Sequence, residues 1–117
     1  MAQDSRLLVQ GIGDVTVVNF IESTMLDMQL IQRVSGELYA LVETRDRRKL
    51  ILDFTGVKFL SSQMLGVLIT LQKKIRALEG KLVLCALKPE VHKVFKITGL
   101  EKLFDFYPDE KEALKAF

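Results

Sequence analysis

One cysteine stands in the whole chain, Cys85, inside the apolar run KLVLCAL. A lone cysteine excludes a disulfide within the molecule and fits a reducing compartment, and in that apolar setting it reads as a small core side chain. There is one histidine, His92. A Ser–His–Asp triad would have to use it, and its place beside Pro89 and Glu90 suits an exposed helix face better. One Cys and one His are too few for an ordinary zinc site, so no metal is expected. No apolar run approaches the roughly 20 residues that cross a bilayer, and MAQDSRLLVQGIGD lacks the charged start and long apolar core of a signal peptide. These absences point to a cytoplasmic location without membrane insertion.

Net charge is also small: 17 Lys and Arg against 15 Asp and Glu leave +2. That is too little to imply a nucleic-acid partner. The basic cluster RDRRK at 45–49 is interrupted by Asp46 and reads as a solvated helix end favoured by the C-terminal dipole. GIGD is half of a dinucleotide fingerprint, but it sits between two strands instead of opening a helix. No GKS or GKT follows any strand. Asp46, Asp53, Glu79, Glu90 and Asp105 are dispersed, and no pair of them suggests acid/base work. An enzyme is not expected, and no cofactor is implied.

What is present is a run of alternating elements that 117 residues can fold around one core, as a single domain over 1–117. RLLVQGIGDVTVVNF reads as two strands joined at Gly11 to Asp14. Met28, Ile31, Val34, Leu38 and Leu41 or Val42 recur at helical spacing over 28–44, with Asp27 as a plausible N-cap and Gly36 weakening the interior. KLILDF is a third strand, apolar enough to be covered on both faces. Met64, Val67, Leu68, Leu71, Ile75 and Leu78 then form the stripe of an amphipathic helix, which Gly80 is expected to end in a left-handed conformation. KLVLCAL is the fourth strand. Pro89 opens a short helix with Val91, Val94 and Phe95 inward, stopped by Gly99. LFDFYP reads as a fifth strand, and Asp109 with Glu112 makes a capping box for a last helix that buries Leu114 and Phe117. The predicted fold class is α/β: one layered structure with a mixed, mostly parallel sheet and four helices, the first strand added antiparallel.

Between the third strand and the second long helix the chain reads LILDFTGVKFLSSQMLGVLITLQKKI, with two adjacent hydroxyls, Ser61 and Ser62, at the helix entrance. Serine is a favoured N-cap, worth typically about 1 kcal/mol over alanine, and one hydroxyl suffices. A helix start also presents unpaired amides and positive partial charge. A phosphoryl group attached there adds about −1.5 to −2 charges in a spot that tolerates it, and so changes the sign of the surface without unfolding the domain. Beside it lie Met64 and Leu65, an apolar pair of which part is expected to face a partner.

That segment, together with GKLVLCALKPEVHKVFKITGLEKLF and the order of elements, resembles a STAS domain, the fold of bacterial anti-sigma factor antagonists. The likeness runs from about Val15 to the C-terminus and is strongest from Leu50 to Phe104. The family's strand-end motif reads Asp-Ser-Ser/Thr-Gly-Leu-Gly-Val. Ser61 takes the place of the motif Asp, Ser62 that of the phosphorylated serine, Gln63 that of the second hydroxyl and Met64 that of the first glycine; Leu65, Gly66 and Val67 match. A second motif, Gly-Glu-Leu-Asp, appears as Ile21, Glu22, Ser23 and Thr24, so Glu22 is kept and Thr24 replaces an acid. Both departures remove negative charge from the same end of the sheet. The resemblance implies a binding module that docks on a serine kinase acting as anti-sigma factor and is controlled by phosphorylation of Ser62. Its partner-binding residues would be Glu22, Ser23, Thr24, Ser61, Ser62, Gln63, Met64 and Leu65. The alternative is a constitutive scaffold assembled with paralogous STAS proteins in a sensory or transport complex. Oligomeric state is left open.

Overall fold

Residues 7–21, 24–25 and 28–117 are described by the computed structural model. In chain order they form strands β1 (Leu7–Ile12), β2 (Val15–Phe20) and β3 (Thr24–Met25), helix α1 (Met28–Glu43), β4 (Lys49–Asp53), β5 (Phe59–Leu60), α2 (Ser62–Ala77), β6 (Lys81–Cys85), α3 (Pro89–Ile97), a 3₁₀ turn (Leu100–Leu103), β7 (Asp105–Tyr107) and α4 (Glu110–Leu114).

The main sheet has the order β1-β2-β4-β6-β7. β1 and β2 close an antiparallel hairpin, Ile12 opposite Val15, over a two-residue turn in which Gly13 takes φ +62. A glycine at the first turn position supplies that positive φ without a steric penalty. The remaining pairs are parallel, so each needs a crossover, and α1, α2 and α3 provide them. Period-two alternation then divides the side chains. Val18, Phe20, Leu50, Leu52, Leu82 and Leu84 face one way, into a core shared with Ile31, Val34 and Leu38 of α1, Leu68 and Leu71 of α2, and Phe95 of α3. Val15, Val17, Ile51, Val83 and Cys85 face the other way and are covered by Ala113 of α4, with Leu114 and Phe117 alongside. The α/β class, the parallel order and the double covering of β4 are as the sequence predicts.

Some expectations are corrected. The β3–β5 pair and the 3₁₀ turn were not foreseen, because two-residue strands leave no periodicity. Met28 is 56% exposed instead of inward, as it occupies the first position of α1. RDRRK is not a helix end: α1 stops at Glu43. The amides of Arg45 and Arg47 return to the carbonyls of Ala40 and Leu41 at 3.0 and 2.8 Å, with Asp46 left-handed at φ 56. The cluster is a solvated loop into β4, where Arg48 pairs with Asp46 and Lys49 with Asp14. Asp27 lies outside the described residues. Asp109 accepts the Glu112 amide at 2.8 Å, but the Glu112 carboxylate pairs with Lys115. Among the described residues, no helix is long and apolar enough to cross a membrane.

Gly80 does not end α2 in the left-handed region; Glu79 does, at φ 59. Glycine is needed at 80 for a different reason. The Lys81 amide donates to the Arg48 carbonyl at 2.7 Å, and this draws the backbone so close that a Cβ on residue 80 would lie 2.3 Å from that oxygen. Gly36 is the opposite case, exposed in the middle of α1 with nothing within 4 Å of an added Cβ. Gly36→Ala is therefore expected to raise the unfolding free energy by about 0.5–1 kcal/mol and Gly80→Ala to lower it by about 1–3 kcal/mol, both read from urea midpoints at unchanged m. An unaffected Gly80→Ala midpoint would contradict the close approach.

Candidate functional site

Because β2, β4 and β6 are parallel, their C-terminal ends meet at one pole, where the chain must turn into the next element. Beyond β4, Asp53 shapes the turn: its carboxylate accepts the Thr55 amide at 2.8 Å and the Thr55 hydroxyl. The Val57 amide then donates to the Phe54 carbonyl, and the Phe54 and Val57 side chains are fully buried. Lys88, at the entrance of α3, fastens the loop by donating to the Thr55 carbonyl. β5 follows and pairs in parallel with β3, Thr24 beside Phe59 and Met25 beside Leu60. The backbone of Thr24 and Met25 thus lies next to the strand that leads into Ser61. Glu22 and Ser23 themselves lie outside the described residues.

The two serines have different tasks. Ser61 is the N-cap of α2, in extended conformation (φ −81, ψ 164), and its Oγ accepts the Met64 amide at 3.2 Å while its carbonyl accepts the Leu65 amide at 3.1 Å. Ser62 is the first helical residue and its side chain is exposed, as is that of Gln63. Met64 and Leu65 turn inward, 0% and 5% exposed. This corrects the expectation that part of the pair faces a partner: as the third and fourth residues after the cap, they lie on the stripe that packs on the sheet. No carboxylate occupies the first turn of α2, so nothing there offsets the positive end of the helix dipole, and an added anion would be welcomed.

The exposed apolar side chains at this pole come instead from residues that the sequence pattern leaves unassigned or places inward. Ile21, Phe59 and Met28 are 50%, 57% and 56% exposed, at the end of β2, on β5 and at the start of α1. Ile21 and Phe59 stand between periodic runs and leave no other signal, whereas Met28 opens the run of α1 and is the member of it that faces outward.

On the opposite face of the sheet, the same strand ends carry a polar cluster. Asn19, Asp53 and Cys85 are in register across β2, β4 and β6, and Asn19 Nδ2 reaches Glu110 of α4 at 3.5 Å. Burial alone would raise the Asp53 carboxyl, but the hydrogen bonds it accepts from Glu110, Thr55 and Asn19 outweigh burial and hold it below its usual range. Glu110 is pushed up, first by donating its proton to Asp53, then by burial and by the Asp53 charge. The Cys85 thiol, buried and facing the charges of Asp53, Glu110 and Asp109, is pushed up to about 12 and stays protonated. His92 is half-buried rather than exposed. Its ring lies on Phe106 at 4.4 Å between centroids, and its Nε2 is 3.5 Å from Glu101 without a hydrogen bond. Among the described residues no group of three His, Cys, Asp or Glu side chains gathers to hold a metal ion. Among the described residues, this pole offers the exposed Ser62 hydroxyl at the start of α2, with large apolar side chains exposed on the elements that end or begin there.

The sequence pattern described as the STAS domain matches residues 6–113. BtrV of Bordetella bronchiseptica, a protein named as a candidate anti-sigma factor antagonist, is 36% identical over 86 residues, which is 74% of this chain and 73% of that protein. Among solved structures, an anti-sigma factor antagonist from Mycobacterium paratuberculosis superposes with a TM-score of 0.83 at 30% identity, covering 98% of this chain and 96% of the other. The Bacillus cell fate determinant SpoIIAA in its phosphorylated form shares the fold, with a TM-score of 0.72 at 17% identity over 94% of this chain and 97% of that one.

The division between the serines gives one expected outcome: Ser61→Ala lowers the unfolding free energy by about 1 kcal/mol, whereas Ser62→Ala leaves it within about 0.5 kcal/mol. Equal losses in thermal or urea melts would contradict it. The carboxylate pair gives another. A raised Glu110 stabilises the fold below its unfolded value and loses that contribution as pH rises through the folded one; a lowered Asp53 stabilises above its unfolded value and loses it as pH falls. Stability is thus expected to rise from neutral pH toward the ordinary glutamate range and to fall on further acidification. Glu110→Gln should flatten the first limb and leave the second; an unchanged slope between neutral and mildly acid pH would refute the shared proton.

Proposed function

The chain belongs to the STAS domain family, and from that premise we propose that it is an anti-sigma factor antagonist that docks on a serine kinase serving as anti-sigma factor and is released when Ser62 is phosphorylated. The observation that carries this reading is the exposed Ser62 hydroxyl beside a cap that Ser61 already satisfies. The modifiable oxygen has no structural task to lose. The name of BtrV and the phosphorylated form of SpoIIAA support it, as statements about those proteins.

In the proposed step, Ser62 Oγ attacks the γ-phosphorus of a nucleoside triphosphate held by the kinase and gives its proton to a base of that kinase. The new O–P bond replaces the bond to the β-phosphate oxygen, and the nucleoside diphosphate departs. The phosphoserine then sits at the start of α2, where unpaired amides and the dipole hold it. Docking would press Ile21, Phe59 and Met28 against the partner and strip water from Ser62, a place where an added dianion is costly to desolvate. The same phosphate is therefore tolerated by the free domain and disfavoured in the complex. Gln63 and Ser61 belong to the polar part of this proposed face, to which the family's second motif adds Glu22, Ser23 and Thr24 as proposed partner-binding residues. Met64 and Leu65 contribute by shaping the helix start from below.

The apolar side chains favour a second reading, in which the chain is a permanent subunit among paralogous STAS proteins, since such a patch can bind irrespective of phosphate. One experiment separates the two. Affinity for the kinase-type partner, measured by calorimetry, is expected to fall at least tenfold in Ser62→Asp, about 1.4 kcal/mol, with the thermal midpoint almost unchanged. Ser62→Ala is expected to bind like the native chain and to stay bound when nucleoside triphosphate is added. Unimpaired binding by Ser62→Asp would remove the switch and leave the scaffold.

A further inference from the structure

The two edges of the main sheet are built differently. β7 is three residues long and carries an exposed Asp105, which blunts it as a pairing template. β1 is six residues long, carries no charge from Leu7 to Gly13, has no proline, and leaves Leu8, Val9 and Ile12 63%, 44% and 38% exposed. In a chain with 27% charged residues this is the kind of strand that natural edges avoid unless something covers it.

We propose that β1 is a homotypic docking surface, on which a second copy of this chain pairs antiparallel and joins two five-stranded sheets into one of ten strands. Self-complementarity favours a second copy over any other occupant. A two-fold axis normal to the sheet keeps each side chain on its own face, so opposed residues must share parity. With the axis at Gln10, Leu8 of one copy opposes Ile12 of the other, Val9 opposes Gly11, and the two Gln10 amides meet. Every exposed apolar side chain is matched by an apolar residue or a glycine. A Cβ added to Gly11 would meet nothing within 4 Å, so the space above it is open to receive the opposing Val9. An axis at Val9 would instead set Leu8 against Gln10 and lose the match. The absence of charge follows as well, since a charge near a two-fold axis faces itself.

The geometry has a consequence for the pole of Ser62. Leu8 is paired with Asn19 at that pole and Ile12 with Val15 at the other end. An antiparallel partner therefore points its own Ser62 pole in the opposite direction, and the dimer holds both poles clear of the shared edge. An interface made by one pair of six-residue strands is small, and the dimer is expected in the weak class that forms at micromolar or higher concentration.

Sedimentation equilibrium of the full chain over a wide micromolar range tests this. The mass is expected to climb from monomer toward dimer. Leu8→Lys and Ile12→Glu, both at exposed positions, are each expected to weaken association roughly tenfold or more, because each change appears twice in the symmetric interface. The double variant should regain most of that loss, as the introduced lysine then faces the other copy's introduced glutamate. A monomer at every concentration, or association indifferent to both single changes, or a double variant no better than either single one, would overturn the proposal. Hydrogen exchange of the native chain gives an answer that needs no variant: β1 amides should slow as concentration rises, and mass growth without that slowing would also overturn it.

Discussion

The hydrogen bond from the Met64 amide to Ser61 Oγ, 3.2 Å long, fixes the start of α2 and with it the whole arrangement of the site. It decides which serine is structural. A cap uses one hydroxyl, contributes about 1 kcal/mol and sets the phase of the helix. Once Ser61 holds that place, Ser62 becomes the first helical residue and faces outward, while Met64 and Leu65 come round to the sheet. The cap is also neutral, so the amides at this end are met by a dipole and not by a carboxylate. An anion added at Ser62 then finds attraction where an acidic cap would have supplied repulsion.

Topology carries that local event to a surface. Parallel strands with helical crossovers collect their C-terminal ends at one pole, and there β3 lies beside β5, the strand that leads into α2. Asp53 stands at the junction of the two faces of the sheet. On one side it shapes the turn through Thr55, and on the other it faces Glu110 at the start of α4, whose carboxyl it pushes up. The loop below Ser62 and the docking of the last helix thus lean on a single buried carboxylate.

Much of this was legible in the residues. The apolar periods of α1 and α2, the β-branched run of β2 and the Pro89 and Gly99 punctuation all give their elements because burial and local propensity agree there. What escaped had tertiary causes. The left-handed residue after α2 is Glu79 and not Gly80, because the backbone of residue 80 is pressed against the Arg48 carbonyl, from a loop distant in sequence. Met64 reads on the buried stripe by its spacing, but the sequence leaves part of the Met64 and Leu65 pair free to face a partner, and tertiary packing buries both. The outward Ile21 and Phe59 were hidden for the converse reason, since nothing local says that an apolar residue between two elements is left uncovered.

The account rests on the separation of a holding hydroxyl from a modifiable one. Fragmentation mass spectrometry of the protein from its native cells, sampled across growth conditions, tests that separation most directly. The expected result is a single phosphate, carried on Ser62, with Ser61 unmodified. A phosphate on Ser61, or on a residue remote from the entrance of α2, or none under any condition, would contradict it.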